Sequence, residues 1–221
     1  QDTQLIGVLA RADATVSQLS GLLSGLVERF ALHDAPLYLV GGSVRDALLG
    51  RLGNDLDFTT PARPEVVYSI LEDWAETVWD TGIDFGTVSA AYKGQQIEIT
   101  TFRSDSYDGD SRNPEVVYGD TLEGDLVRRD FKVNAMAIEL RPDGTREFHD
   151  PMGGLDDLAD RVLDTPDAPE ISFHDDPLRM LRAARFAAQL EFDVAGRVRD
   201  AMTDMAAEIQ RITVERVQVE L

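Results

Sequence analysis

Residues 37–60 read LYLVGGSVRDALLGRLGNDLDFTT, and the order of elements in this stretch decides the fold. Leu37–Val40 is a short apolar run with the length of a strand. Gly41-Gly42-Ser43 turns the chain into a helix over Val44–Leu49, which Gly50 closes. Leu52–Thr60 predicts a second strand, in which Asp55 and Asp57 alternate against Leu56 and Phe58. Two glycines between strand and helix let backbone approach a ligand, and the helix start offers free N–H groups to a phosphate. Arg45, on the first turn, adds a guanidinium suited to the same anion. The glycine turn alone equally fits a capped helix, with Ser43 as the cap and Asp46 reaching back.

Asp55 and Asp57 weigh toward chemistry. Residues two apart on a strand project from one face, and neighbouring carboxylates repel unless a cation lies between them. Hard oxygen ligands select Mg²⁺, with Mn²⁺ as a substitute. Cations so held serve in-line phosphoryl displacement. Glu98, alternating with Ile97 and Ile99, is the expected third carboxylate from a neighbouring strand. The competing reading is a solvated strand edge.

Outward from this stretch the pattern is α+β. Helical spacing marks residues 15–32 as a leading helix and Pro64–Trp74 as another. Val78, Thr87–Tyr92 and Gln96–Phe102 read as strands, the last two joined over Lys93-Gly94-Gln95. Ser104–Asp125, Asp/Gly-rich, reads as a long loop; Leu126–Glu139 starts as helix, and Ala137–Leu140 with Glu147-Phe148 as a hairpin. Leu163–Pro177, with three prolines, reads as a linker. Helices follow at Leu178–Leu190, Val194–Gln210 and from Val214. The expected architecture is a catalytic head with a mixed β-sheet and flanking helices over 1–163, then an all-helical neck over 164–221.

With 221 residues, 43% hydrophobic and 28% charged, the chain supports a packed core. Cysteine is absent, which excludes disulfides, thiol catalysis and Cys-ligated zinc. His33, His149 and His174 have no metal-ligand spacing, and no apolar run has the length of a membrane span. A cytoplasmic protein without membrane contact is expected. The net charge of -20 opposes nucleic-acid binding. Its distribution is uneven: Arg179–Leu221 balances seven Arg against seven acids, whereas Ser104–Asp125 carries seven acids and only Arg112. A start at Gln1 without Met and an end inside a helix suggest a piece of something longer.

Two further constellations stand out. Arg128, Arg129 and Asp130 read as a helix start, with Asn134 one turn on, and fit either a capped helix or a pair reading ribose hydroxyls beside a phosphate-binding Arg. Asp176 and Arg179, three apart, are expected to share a helix face continued by Arg182 and Arg185, which alone would read as ion pairing.

Taken in order, these segments resemble the class II tRNA nucleotidyltransferases, the CCA-adding enzymes and their bacterial poly(A) polymerase relatives. Leu39–Asp57 is similar to the family's signature. Thr100-Thr101-Phe102-Arg103 matches the strand after the third carboxylate, and Arg128-Arg129-Asp130-Phe131 with Asn134-Ala135 the ribose-reading motif. Asp150, Gly153-Gly154 and Asp156-Asp157-Leu158 match the hinge motif. Asp175-Asp176-Pro177-Leu178-Arg179, with Leu181-Arg182 and Arg185-Phe186, matches the base-reading motif. Glu215-Arg216 and Glu220-Leu221 resemble the start of the last motif.

The resemblance implies Mg²⁺-dependent transfer of CMP and AMP from CTP and ATP to the tRNA 3′ end, with pyrophosphate released. Asp55 and Asp57 would hold metal, Glu98 would polarise the attacking hydroxyl, and Gly42, Ser43 and Arg45 would cradle phosphates. Arg128, Arg129, Asp130, Asn134, Asp176, Arg179, Arg182 and Arg185 would bind nucleotide. Cytosine and adenine both set an amine donor beside a ring-nitrogen acceptor, matching one carboxylate and one guanidinium. Uracil and guanine reverse that order and would be rejected. The family's body and tail domains grip tRNA, so this chain is expected to bind tRNA weakly. Poly(A) addition, CC-only or A-only addition, and a non-catalytic nucleotide-binding module are the alternatives. Two departures from the family pattern are Asp175, where Glu is more frequent, and Lys132, where Thr is usual and which would add a cation beside the triphosphate.

Overall fold

The computed structural model describes residues 2–104 and 116–221. The chain forms two compact units, one of Gln1–Asp125 with Met136–His149 and one of Leu126–Ala135 with Asp150–Leu221.

The first unit is built on a mixed sheet of seven strands: β1 (Leu37–Val40), β2 (Asp55–Thr60), β3 (Thr77–Trp79), β4 (Thr87–Tyr92), β5 (Gln95–Thr101), β6 (Ala137–Leu140) and β7 (Arg146–His149). Their order is β3-β4-β5-β2-β1-β6-β7. Only β2 and β5 run parallel; the other neighbours are antiparallel. Alternation sends Leu56, Phe58, Ile97 and Ile99 into the core, while Asp55, Asp57 and Glu98 stay exposed on the opposite pleat. Helices α1 (Asp2–Leu32), α2 (Gly42–Leu48) and α3 (Pro64–Trp74) contribute Leu23, Leu26, Phe30, Val44, Leu48 and Leu71 to that core. Burying each such side chain is worth about 1.5–3 kcal/mol.

Local chemistry sets the boundaries. The β4–β5 hairpin closes over Lys93 and Gly94 at φ 46° and 81°, the two left-handed positions of a two-residue turn. The leading helix has 31 residues rather than the 18 expected over 15–32; its N-terminal part buries only a narrow stripe, so helical spacing of apolar residues does not mark it. Within the expected loop Ser104–Asp125, residues 105–115 lie outside the described residues. The rest is not all loop: Arg103 bridges to Tyr118, and α4 (Leu122–Val127) begins inside it.

In the second unit, Asp150 caps α5 (Gly154–Asp160), accepting the Gly154 and Leu155 N–H groups at 2.7 and 2.9 Å. The expected linker Leu163–Pro177 instead contains α6 (Pro169–Asp175), with Pro169 at its first turn, a position that suits proline. Then follow α7 (Leu178–Leu190), α8 (Gly196–Asp204) and α9 (Val214–Glu220). The single helix expected over Val194–Gln210 breaks at Met205 into α8 and a 3₁₀ segment. Val162–Leu163 (β8) and Asp193–Val194 (β9) add a short parallel pair to this otherwise helical stretch. Phe173, Met180, Val198 and Ala201 form a core for α6, α7 and α8.

Candidate active site

The first unit holds the glycine turn and the three acidic residues. Gly41, not Ser43, is the helix cap; its φ of 65° and ψ of -136° belong to glycine geometry. Val44 and Arg45 both donate their N–H to the Gly41 carbonyl at 3.1 Å. A side chain at Gly42 would stand 3.2 Å from Arg45 Nη2, so the missing Cβ leaves the guanidinium its place. The capping box read for Ser43 and Asp46 does not form. The Ser43 hydroxyl accepts the Asp57 N–H at 3.0 Å, and Asp46 takes Arg45 Nε at 3.2 Å. Ser43 thus ties the helix start to the acidic strand, a link that needs tertiary pairing and has no signature in sequence.

On the sheet, Asp57 is the register partner of Glu98 across the parallel β2–β5 pair, and Asp55 that of Gln96. Adjacent strands lie about 4.8 Å apart, so Asp57 and Glu98 are neighbours on one face. Glu98 is exposed as a residue, but partial desolvation of its carboxyl raises its pKa above the ordinary glutamate value, and Asp57, by charge and hydrogen bond, and then Asp55 push it further. Negative neighbours disfavour a further negative charge there, and a cation placed among them would relieve that repulsion. Ser89, the partner of Glu98 on β4, borders the cluster and was missed because its place depends on the β4–β5 register.

The second unit gathers the other predicted residues. Arg128 and Arg129 follow α4 rather than opening a helix, and the next helical turn is the 3₁₀ segment Lys132–Asn134. Asp130 is 8% exposed and Asn134 6%. Asp130 Oδ1 accepts the Phe131 N–H at 2.8 Å and Asn134 Nδ2 at 3.1 Å. Its Oδ2 takes Arg182 through Nε at 2.9 Å and Nη2 at 2.8 Å. Phe131 stands edge-on to Phe186, with Arg182 and Arg185 over the Phe186 ring.

Asp176 and Arg179 do not share one helix, contrary to the expected stripe. Asp176 ends α6 in extended geometry, because the following Pro177 disfavours the helical region there. Its Oδ1 accepts the Leu178 N–H at 3.2 Å and its Oδ2 the Arg216 guanidinium at 3.0 Å. Arg179 lies in the first turn of α7, giving Nη1 to Ser172 Oγ at 2.9 Å and Nη2 to the Arg128 carbonyl at 2.6 Å. Lys132 is not a spare cation: its Nζ pairs with Asp164 at 3.1 Å, and Arg197 binds the other Asp164 oxygen at 2.7 Å.

Among the described residues the sheet carries a further group of possible metal ligands, which the spacing of the histidines in sequence does not reveal. His149, Glu139 and Glu147 bring ligand atoms within 4.8 Å of one another on β6 and β7. Arg141, a solvent-exposed guanidinium, is hydrogen-bonded to both carboxylates and offsets one of their two charges.

The family model of the poly A polymerase head domain matches residues 37–164, more than half of the chain. The chain belongs to that family. Its head-domain relatives include CCA-adding enzymes. That of Lactobacillus helveticus is 42% identical over 192 residues, 86% of this chain and 46% of the relative. That of Leuconostoc mesenteroides is 45% identical with the same coverage. Among solved structures, the Bacillus stearothermophilus CCA-adding enzyme in complex with CTP superposes with a TM-score of 0.77 at 37% identity, covering 91% of this chain and 47% of that one. The Thermotoga maritima CCA-adding enzyme complexed with tRNA gives 0.73 at 29%, covering 92% and 46%. The chain spans about half the length of the curated relatives it matches. Among the described residues no helix is long and apolar enough to cross a membrane.

Proposed function

We propose that the chain is the head and neck part of a nucleotidyltransferase of the CCA-adding kind, which moves CMP and AMP from CTP and ATP to the 3′ end of tRNA. The in-register meeting of Asp57 with Glu98, two residues along β2 from Asp55, carries this reading. Three hard carboxylate donors on one exposed face, crowded enough that Asp57 and Asp55 raise the pKa of Glu98, suit a divalent cation, and Mg²⁺ is the expected ion. When bound there, it would offset triphosphate charge and lower the pKa of the attacking hydroxyl. The 3′-oxygen forms a bond to the α-phosphorus while the bond to the β-phosphate bridge oxygen breaks, and pyrophosphate leaves with that electron pair. Glu98 receives the hydroxyl proton. Gly42, Ser43 and Arg45 at the helix start hold phosphate oxygens.

The residues of the head, read as 1–163, and of the neck, read as 164–221, divide the recognition. Asp130 and Asn134 take the ribose hydroxyls, with Arg128 and Arg129 toward phosphate. Asp176 accepts from the exocyclic amine of cytosine or adenine and Arg179 donates to the ring nitrogen, with Arg182 and Arg185 supporting them. A reaction on tRNA puts the protein in the cytoplasm, and the net charge of -20 makes this chain a better binder of nucleotides than of tRNA. Calorimetric titration with CTP, ATP, UTP and GTP in Mg²⁺ tests this reading. Comparable binding of CTP and ATP with UTP and GTP far weaker supports it, ATP alone favours poly(A) addition, and equal binding of all four overturns the base-reading assignment.

A further inference from the structure

The last helix, α9, places two charged side chains one turn apart, and each ends on a different part of the nucleotide-reading cluster. Arg216 reaches Asp176 Oδ2 at 3.0 Å. Glu220 is 8% exposed, an unusual burial for a carboxylate, and meets two arginines of α7: Arg182 Nη1 at 3.2 Å from Oε1, and Arg185 Nε at 3.2 Å from Oε2. Arg182 spends its remaining fork on Asp130, whose other oxygen holds Asn134. A line of charge-assisted contacts therefore runs Glu220–Arg182–Asp130–Asn134, from the far end of the chain to the pair read as the ribose contact. Burial works against the Arg182 charge, yet Asp130 and Glu220 together hold its pKa above the ordinary arginine value.

We propose that Glu220 is a positioning residue for ribose recognition. It anchors one end of the Arg182 guanidinium so that the other end fixes the Asp130 carboxylate, and Asp130 then presents one rotamer to the 2′-hydroxyl. Without Glu220, two arginines lose their buried counter-charge, Arg182 recentres on Asp130 alone, and the carboxylate loses its fixed aim. Glu220 lies in the segment that resembles the family's last motif, and this assignment rests on the reading of Asp130 and Asn134 as the ribose contact.

The test measures the affinity of the 221-residue chain for CTP and for 2′-deoxy-CTP in Mg²⁺, in wild type, Asp130→Asn, Glu220→Gln and Glu220→Asp. The expected result is a preference for CTP in wild type that collapses in Asp130→Asn, falls several-fold in Glu220→Gln and lies between in Glu220→Asp. Loss of packing alone would weaken both nucleotides in parallel and leave their ratio unchanged. A wild-type ratio in both Glu220 variants, with the ratio collapsed in Asp130→Asn, overturns the proposal while the ribose reading stands. An unchanged ratio in Asp130→Asn overturns both. Should Glu220→Gln fail to fold by thermal melting, Glu220→Asp, which keeps the charge and shortens the reach, decides the same comparison.

Discussion

Asp57 sits opposite Glu98 across the parallel β2–β5 pair, and partial desolvation together with that neighbour raises the pKa of the Glu98 carboxyl above its ordinary value. A carboxyl raised in this way ionises at higher pH than a free glutamate. Transfer that needs ionised Glu98 therefore rises with pH along an acidic limb set by this group, and added divalent cation moves the limb to lower pH. Glu98→Gln should remove the limb and slow transfer about 10²–10⁴-fold, the usual worth of a positioned acid–base group. A pH–rate profile that keeps its acidic limb in Glu98→Gln contradicts the assignment.

Ser43 is buried, and its hydroxyl accepts the Asp57 N–H. Ser43→Ala leaves that backbone donor without its acceptor, at a cost of about 1–3 kcal/mol. Thermal melting should show a lowered midpoint, and metal affinity should weaken as Asp57 loses its tether. A melting curve superposing on wild type would refute the tie.

Asp157 on α5 is pushed up to about 6 from 3.8, chiefly by burial, with Asp164, Asp160 and Asp150 adding to it and Lys132 opposing. A carboxyl whose folded pKa exceeds its unfolded value binds its proton more tightly when folded, so stability is lost as pH rises from about 4 to about 6. Asp157→Asn should therefore melt higher than wild type at pH 7.5 and with nearly the same midpoint at pH 4. Equal gains at both pH values would contradict the assignment.

Arg179 is anchored by Ser172 and the Arg128 carbonyl, and Asp176 by Leu178 and Arg216. Anchored groups discriminate through geometry, so Asp176→Ala should relax the choice among the four nucleotides more than it lowers transfer of the correct one. The ratio of kcat/KM for CTP against UTP checks this; a preserved ratio returns Asp176 to a capping role alone.

Much of this was legible in residues 37–60, where glycine punctuation and strict alternation marked the turn and the acidic face. Glu98 was legible for the same reason, since Ile97 and Ile99 fix its side of β5. The failures cluster where tertiary pairing overrides spacing. Ser43 has the chemistry of a cap, but Gly41 takes that place because only glycine tolerates the required backbone, which frees the hydroxyl for Asp57. Asp176 and Arg179 are three apart as helix partners are, yet Pro177 breaks the helix between them. Lys132 resembled a free cation until the fold set Asp164 beside it. The prolines of Leu163–Pro177 signalled a linker, although Pro169 serves as a helix start.

The most direct test of the central claim, that the acidic face of β2 and β5 carries metal-dependent nucleotidyl transfer, is pyrophosphate release from CTP with a tRNA ending before its CCA, with and without Mg²⁺, in wild type and Asp57→Ala. The account predicts release in wild type that chelation of Mg²⁺ abolishes, and none above background in Asp57→Ala, with the melting curve of a folded protein. Release from folded Asp57→Ala at the wild-type rate would contradict it.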